Sequence, residues 1–438
     1  SSALCGMVSG SSVGNTVTTG SVTIPMMKKT GYPPEFAGAV EAASSTGGQI
    51  MPPIMGAAAF IMAEMTGYEY SDIIVRAILP AFLYFLGIFL GVHFKAKKLG
   101  LVGLKREELP KWKLLLPKIY LLLPLIILTW MVIAGQTMAK SAIYGTIVAI
   151  VVGIINKDDR MTPTKFVNGL ENGGKNCLSI GIACGIAGII SVCITMTGLG
   201  GKLITYVVKL SNGHLFIALF LTMICCIILG MGVPTTANYI IMASTCAPIL
   251  INGMGMHILA ANMFVFYFGI VADITPPVAL AAYAGAAIAK APPMKTALNA
   301  TRLAIAAFII PYIFAYNNAM IFVGDVTFLG VTSIVISATL GMASIASGFM
   351  GYLIHDLKWY SRIALIAGGL LMVIPGTVTD LAGLAILIVI LLIQRAENKK
   401  EKKAAVLPVF SCSRMGATCS TFWRKTSSAI SVLFSRMP

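Results

Sequence analysis

Two segments of this chain set glycine and proline inside otherwise apolar sequence, and they do so twice in the same order. The first runs Gly10-Ser11-Ser12-Val13-Gly14-Asn15, passes Pro25 and reaches Gly48-Gln49-Ile50-Met51-Pro52-Pro53. The second runs Gly232-Val233-Pro234-Thr235-Thr236-Ala237-Asn238, passes Pro248 and reaches Ala272-Asp273-Ile274-Thr275-Pro276-Pro277. Asn15 to Asn238 and Pro25 to Pro248 share one offset; Gln49 to Asp273 and Pro52 to Pro276 share another, one residue longer. Proline removes a backbone donor and clashes with the preceding turn, and glycine carries a high entropy cost in a helix, so neither segment continues as regular helix. In hydrocarbon such a break survives only inside protein or around a cavity. A duplicated, Gly/Pro-interrupted apolar element points to the binding site of a secondary transporter.

The membrane setting follows from composition. Hydrophobic residues make up 57% of the chain, charged residues 11%, and the mean hydropathy is +0.88. Apolar runs at Ile73–Phe94, Ile119–Gly135, Ala142–Ile155, Leu178–Thr197, Leu215–Met231, Ala300–Phe314 and Leu381–Ile393 approach or reach the ~20 residues that cross a bilayer core as helix. Strand-like alternation is scarce. The expected fold is an all-α polytopic membrane protein with two related repeats, each a helical hairpin followed by a discontinuous helix. The expected organisation is a first repeat at 1–94, connector and scaffold helices at 95–213, a second repeat at 214–320, peripheral helices at 321–395 and a basic tail at 396–438. Within the connector, the polar stretch Pro163–Asn176 reads as an interfacial helix.

A net charge of +16 raises nucleic-acid binding, but its placement argues for a membrane surface. Basic residues cluster at Lys95, Lys97, Lys98, Lys105, Arg106, Lys111 and Lys113, at Lys157, Arg160 and Lys165, and from Arg395 onward, where nine basic residues face two acidic ones. Short Lys/Arg-rich loops mark the cytoplasmic side, and anionic headgroups account for the charge. The expected location is a bacterial or archaeal inner membrane, with no nucleic-acid partner. Most cysteines lie in apolar segments without a CxxC pattern, so they read as small hydrophobes and no transition-metal site is expected.

The residue types at the breaks suggest what binds there. Unwinding frees carbonyl oxygens, and hydroxyl and amide oxygens stand beside them. Mostly neutral oxygens suit a hard, singly charged cation such as Na⁺. The candidate ion ligands are Gly10, Ser12, Asn15 and Gly48 in the first copy, and Gly232, Thr235, Asn238, Asp273 and Thr275 in the second. Helix N-termini beyond each break carry partial positive charge and favour an anion. Ser11, Ser12, Pro52, Pro53, Thr235, Thr236, Pro276 and Pro277 are therefore candidates for a bound carboxylate. Asp273 is a costly charge in this setting and is matched by neutral Gln49, so it is expected to tune one ion site. Glu41 reads as a buried polar partner, and Arg76 and Arg302 read first as interfacial anchors. Na⁺ is the coupling ion, and no other cofactor is expected.

Competing classes fare less well. A channel would use oxygen-lined breaks as a filter, but no continuous polar stripe accompanies them. No paired acids on one helix, HExxH or GxSxG argues for an intramembrane enzyme, and no P-loop argues for ATP. A scaffold subunit has no need of two matching oxygen-rich breaks.

With these residues in place, the chain resembles the large membrane subunit of a tripartite ATP-independent periplasmic (TRAP) transporter. Ser9-Gly10-Ser11-Ser12, Pro25-Met26-Met27, Gly31-Tyr32-Pro33-Pro34-Glu35-Phe36-Ala37 and Gly48-Gln49-Ile50-Met51-Pro52-Pro53 resemble the first half of that transport domain. Gly230-Met231-Gly232-Val233-Pro234-Thr235-Thr236 and Asp273-Ile274-Thr275-Pro276-Pro277-Val278 resemble the second. The Pro-Thr-Thr wording is most similar to the subtype with fused membrane subunits and a TAXI-type binding protein. The resemblance covers about residues 1 to 320 and implies an elevator-type importer. In it, an extracytoplasmic substrate-binding protein would deliver a carboxylate such as an amino acid or dicarboxylate, and Na⁺ would drive a transport domain across a scaffold. The small TRAP membrane subunit or a missing N-terminal part would complete that scaffold, since the chain opens inside the first motif at Ser1. The alternative readings are an ion channel-like protein or an inactive fragment of such a transporter.

Overall fold

The computed structural model describes residues 1–103, 116–156, 160–324, 327–373 and 376–412. Lys105, Arg106, Lys111, Lys113, Lys157, Asp325, Pro375 and the 413–438 part of the tail lie outside the described residues. The described chain is helical, with a single isolated bridge between Tyr352 and Asp356 in place of any sheet. Among the described residues six helices are long and apolar enough to cross a membrane, and five shorter apolar ones accompany them.

The first copy begins with α1 (Ser2–Ser9) and α2 (Ser12–Lys29), a hairpin whose tip is the Gly10-Ser11 turn. Gly10 adopts a left-handed conformation, φ 62°, that an L-residue with a β-carbon rarely holds, and so ends α1. The Ser11 hydroxyl then caps α2 by accepting from the Gly14 N–H at 3.2 Å. Lys28 and Lys29 close α2, where cations meet the negative end of the helix dipole. α3 (Pro34–Gly48) starts with proline in its first turn, stops at the Gln49–Ala57 break, and is followed by α4 (Ala58–Thr66). α5 (Tyr70–Lys98) then returns across the molecule.

Between the copies lie α6 (Leu123–Ile133), α7 (Met138–Ile155), α8 (Pro163–Met196) and α9 (Leu199–Ser211). Residues 163–176 do not form a separate surface helix. They are the first part of the continuous α8, which packs against the second copy. The polar start of α8 is helix-compatible sequence, and with no proline or turn after it nothing interrupts the helix at Asn176.

The second copy repeats the order of the first, with two of its helices divided. α10 (Leu215–Leu229) and α11 (Thr235–Thr245) form its hairpin, with α11 continued by α12 (Ala247–Met254). α13 (Ile258–Val271) stops at the Ala272–Ala279 break and is followed by α14 (Leu280–Ala289). α15 (Pro293–Leu303) and α16 (Ile305–Tyr316) occupy the place of the single α5. Both Pro-Pro bonds, Pro52-Pro53 and Pro276-Pro277, are cis. α17 (Phe328–Met350), α18 (Trp359–Leu371) and α19 (Thr377–Cys412) pack as a sequential layer on α5.

Two contacts fix how the copies lie. The Lys28 ammonium at the end of α2 donates to the Ala289 carbonyl at the end of α14, 2.9 Å away. At the opposite end, the Tyr68 hydroxyl after α4 meets His257 Nε2 before α13, at 3.2 Å. The hairpins therefore enter from opposite ends, and the copies form an inverted repeat. α13 is buried from Leu259 to Val271, as a helix apolar on every side must be. Its rings form much of the core, with Phe264, Phe268 and Tyr312 packed edge to face. The copies also touch backbone to backbone: a β-carbon on Gly38 would meet the Gly285 carbonyl oxygen at 2.9 Å, and one on Gly285 would meet the Gly38 oxygen at 2.7 Å. Small residues permit this approach between membrane helices. Gly285→Val should destabilise the fold by about 1–3 kcal/mol. Gly173→Ala, in open space on α8, should leave stability unchanged or slightly raised. Thermal unfolding of the two purified variants checks both outcomes.

Candidate functional site

Both hairpin tips and both broken helices meet at one cavity of about 1010 Å³. Its polar lining comes from Ser9–Asn15, Thr18 and Gln49 of the first copy, and from Gly232–Thr236 and Asp273 of the second. Leu122 and Leu125 of the connector add an apolar wall. The first turns of α2 and α11 begin at this cavity, so their N–H groups and positive dipole ends face it from opposing hairpins.

One hydrogen bond crosses between the copies here: the Ser12 hydroxyl donates to Asp273 Oδ2. Ser12 is 1% exposed and Asp273 8%, so this is a buried carboxylate held by a hydroxyl of the other repeat. Among the described residues it is the one side-chain donor to Asp273 and no ion pair neutralises the acid.

Of the residues singled out by sequence, Gly10, Ser11, Ser12, Asn15, Gly232, Thr235, Thr236 and Asp273 line the cavity. Gly48, Pro52, Pro53, Asn238, Thr275, Pro276 and Pro277 do not. The reasons are local. Gly48 is pressed against Gly6, and its carbonyl accepts from the Met51 N–H at 3.1 Å. The Pro53 and Pro277 carbonyls accept from the Tyr70 and Tyr283 hydroxyls, at 2.8 and 2.6 Å. Thr275 turns its hydroxyl back to the Val271 carbonyl, and its own carbonyl accepts from the Ala279 N–H. Asn238 lies behind the tip: its Nδ2 donates to the Gly269 carbonyl at 3.0 Å, while its Oδ1 is buried without a partner. Much of the backbone freed at the Pro-Pro breaks is thus answered within the protein, as membrane burial demands.

Asn15 reaches the cavity but spends its amide on the Ser2 carbonyl and Ser45 hydroxyl, each at 2.9 Å. It belongs to a network around Glu41, which accepts from Ser2 at 2.7 Å, from Thr23 at 2.5 Å and from Thr19. Thr19 and Thr23, four apart on α2, put both hydroxyls on the face that Glu41 meets, a spacing visible in the sequence. Arg76 forms a 3.5 Å ion pair with Asp72 and lies over the Tyr68 ring, 5.1 Å from its centroid. Neither Arg76 nor the exposed Arg302 lines the cavity.

Sequence reasoning treated Gln49 only as the neutral counterpart of Asp273. In the structure Gln49 is 1% exposed, borders the cavity, and has no protein hydrogen-bond partner for either amide atom. Thr46 Oγ1, one turn earlier, is also buried without one. The signal available was the shared offset of Gln49 and Asp273, which placed both at one structural position.

An inverted pair of hairpins and broken helices enclosing one polar cavity within a helical membrane fold defines the secondary transporter class. The family model described as "Tripartite ATP-independent periplasmic transporter, DctM component" matches residues 1–329, and the chain belongs to that family. It is therefore a TRAP transporter large-subunit protein. A comparison with curated proteins finds no match.

The Ser12–Asp273 contact yields a direct expectation. Ser12→Ala leaves a buried carboxylate without its side-chain donor and should destabilise by about 1–3 kcal/mol. Ser12→Ala/Asp273→Ala should recover part of that loss, because both halves of the pair are gone. Thermal unfolding of the single and double variants measures the coupling.

Proposed function

We propose that this chain is the substrate-carrying subunit of a Na⁺-coupled importer of carboxylates. The observation that carries the reading is the single cavity shared by the two opposed hairpin tips, with two helix N-termini and a set of neutral oxygens facing it. The N–H groups opening α2 and α11, with the Ser11, Thr235 and Thr236 hydroxyls, suit a carboxylate, while Ser12 gives its one proton to Asp273. The ion sites lie beside the breaks: Gly10, Ser12, Asn15 and Gly48 for one, Gly232, Thr235, Asn238, Asp273 and Thr275 for the other. The open Asn238 Oδ1 and Thr46 Oγ1 support Na⁺ there, since a buried unpaired acceptor is costly unless something answers it. Two sites built mostly of neutral oxygens suit a monovalent ion.

Residues 1–94 and 214–320 act as the moving transport domain and 95–213 as scaffold, with 321–395 peripheral. Lys28, Lys29, Lys95, Lys97, Lys98 and Lys290 gather at the end marked by the Lys28–Ala289 contact, which supports a cytoplasmic position for that end. The opposite end, around Tyr68 and His257, then receives an extracytoplasmic binding protein, of TAXI type by the Pro234-Thr235-Thr236 wording, and a small TRAP membrane subunit completes the scaffold. The host membrane is a bacterial or archaeal inner membrane.

Uptake into proteoliposomes, with the binding protein on the outer face and the small subunit present, tests this. Na⁺ should stimulate uptake, and omission of the binding protein should abolish it. Thr235→Val or Asn238→Leu should raise the half-activating Na⁺ concentration about tenfold, the equivalent of one lost ligand at ~1.4 kcal/mol. Uptake indifferent to Na⁺ in the wild type refutes the coupling. Full uptake without the binding protein refutes the partner.

A further inference from the structure

The pseudo-symmetry of the cavity is broken at one pair of residues. Under the repeat, Ser12 corresponds to Thr235 and Gln49 to Asp273. The cross-repeat bond from Ser12 to Asp273 therefore has a mirror partner, Thr235 with Gln49, on the same cavity. That second bond is not made. The Thr235 hydroxyl bonds no described residue, and both Gln49 amide atoms are unpartnered although the side chain is 1% exposed. One hydroxyl–carboxylate pair is bonded across the repeat, and the other leaves the Thr235 hydroxyl and both buried amide atoms of Gln49 uncommitted beside the cavity.

We propose that Gln49, with Thr235 opposite, is the substrate-reading pair, and that it selects carboxylates bearing a hydrogen-bond donor on the adjacent carbon: 2-hydroxy or 2-amino acids. The proposal rests on the carboxylate reading above and deepens it. A side-chain amide offers two donors at nitrogen and acceptor lone pairs at oxygen. A carboxylate oxygen accepts from Gln49 Nε2 and from the Thr235 hydroxyl. The neighbouring hydroxyl or ammonium group donates to Gln49 Oε1. An unsubstituted carboxylate answers the nitrogen and leaves the buried oxygen unpaired, and a site built to bond a hydroxyl rejects the analogue that lacks it. Asp273 cannot serve this role: its charge repels a carboxylate, and Ser12 already holds it. The neutral member of the pair is the one left open.

The test uses the purified full-length chain in nanodiscs containing Na⁺, with its unfolding temperature followed against malate, aspartate and succinate. Malate or aspartate should stabilise the wild type at concentrations at least about tenfold below succinate. Gln49→Met, which keeps the side-chain length without polar atoms, should bring the three together by weakening malate and aspartate. Gln49→Glu gives Thr235 a carboxylate acceptor like that of Ser12 and should weaken all three; it stands in if Gln49→Met does not fold. Equal stabilisation of the wild type by malate, aspartate and succinate, or a preference that survives Gln49→Met, overturns this proposal alone. Stabilisation by none of the three overturns the carboxylate reading with it.

Discussion

Every interrupted helix in this protein must find partners for the backbone groups its interruption releases, and in a membrane it must find them within the protein. The arrangement of the two copies follows from that demand. Tyr70 and Tyr283 answer carbonyls at the two Pro-Pro breaks, Thr301 answers Ile274, and the turns at Gly10 and Gly48 close on their own helices. The tyrosines are not equivalent under the repeat: each copy solved the same deficit with a different side chain. Among the buried side-chain atoms left without a protein partner, those of Gln49 border the cavity, while others, such as Thr222 Oγ1 and the Tyr267 hydroxyl, lie elsewhere in the fold.

An inverted repeat makes two equivalent half-sites, and this chain distinguishes them by charge. At one position stands Asp273, at the other Gln49, and the half with Asp273 is the one bonded across the repeat. The hydrogen bond from Ser12 to Asp273 ties the copies together. Gln49 has the same reach without the charge, so an anion can approach it. A single acid-to-amide difference separates a half that is bonded across the repeat from one that is not.

Close packing by small residues brings these half-sites together. Gly38 against Gly285 and Gly48 against Gly6 place helix backbones in contact, so the breaks at Gln49 and Asp273 are held at fixed positions relative to both tips. Beside them, Glu41 and its hydroxyl partners pin the first hairpin to α3. The connector contributes apolar wall through Leu122 and Leu125, and α8 packs on the second hairpin.

The amino-acid sequence alone determined the class of fold and the location of the breaks. Hydropathy dictates membrane helices, and Gly10, Pro52-Pro53, Gly232 and Pro276-Pro277 mark where they stop, although the single prolines Pro25, Pro80 and Pro311 sit inside helices. The length of α8 was misjudged from sequence, because a polar stretch such as Pro163–Asn176 announces itself by composition whether it ends a helix or begins a longer one. Which break atoms point into the cavity was not legible either. Thr275, Pro53 and Pro277 look as available as Ser12 or Thr235 until the tyrosines and preceding turns that occupy them are in place. Hydrogen bonds such as Ser12 to Asp273 join residues hundreds of positions apart, and only the packing of two opposed copies decides which polar atoms are spent and which, like those of Gln49, stay open.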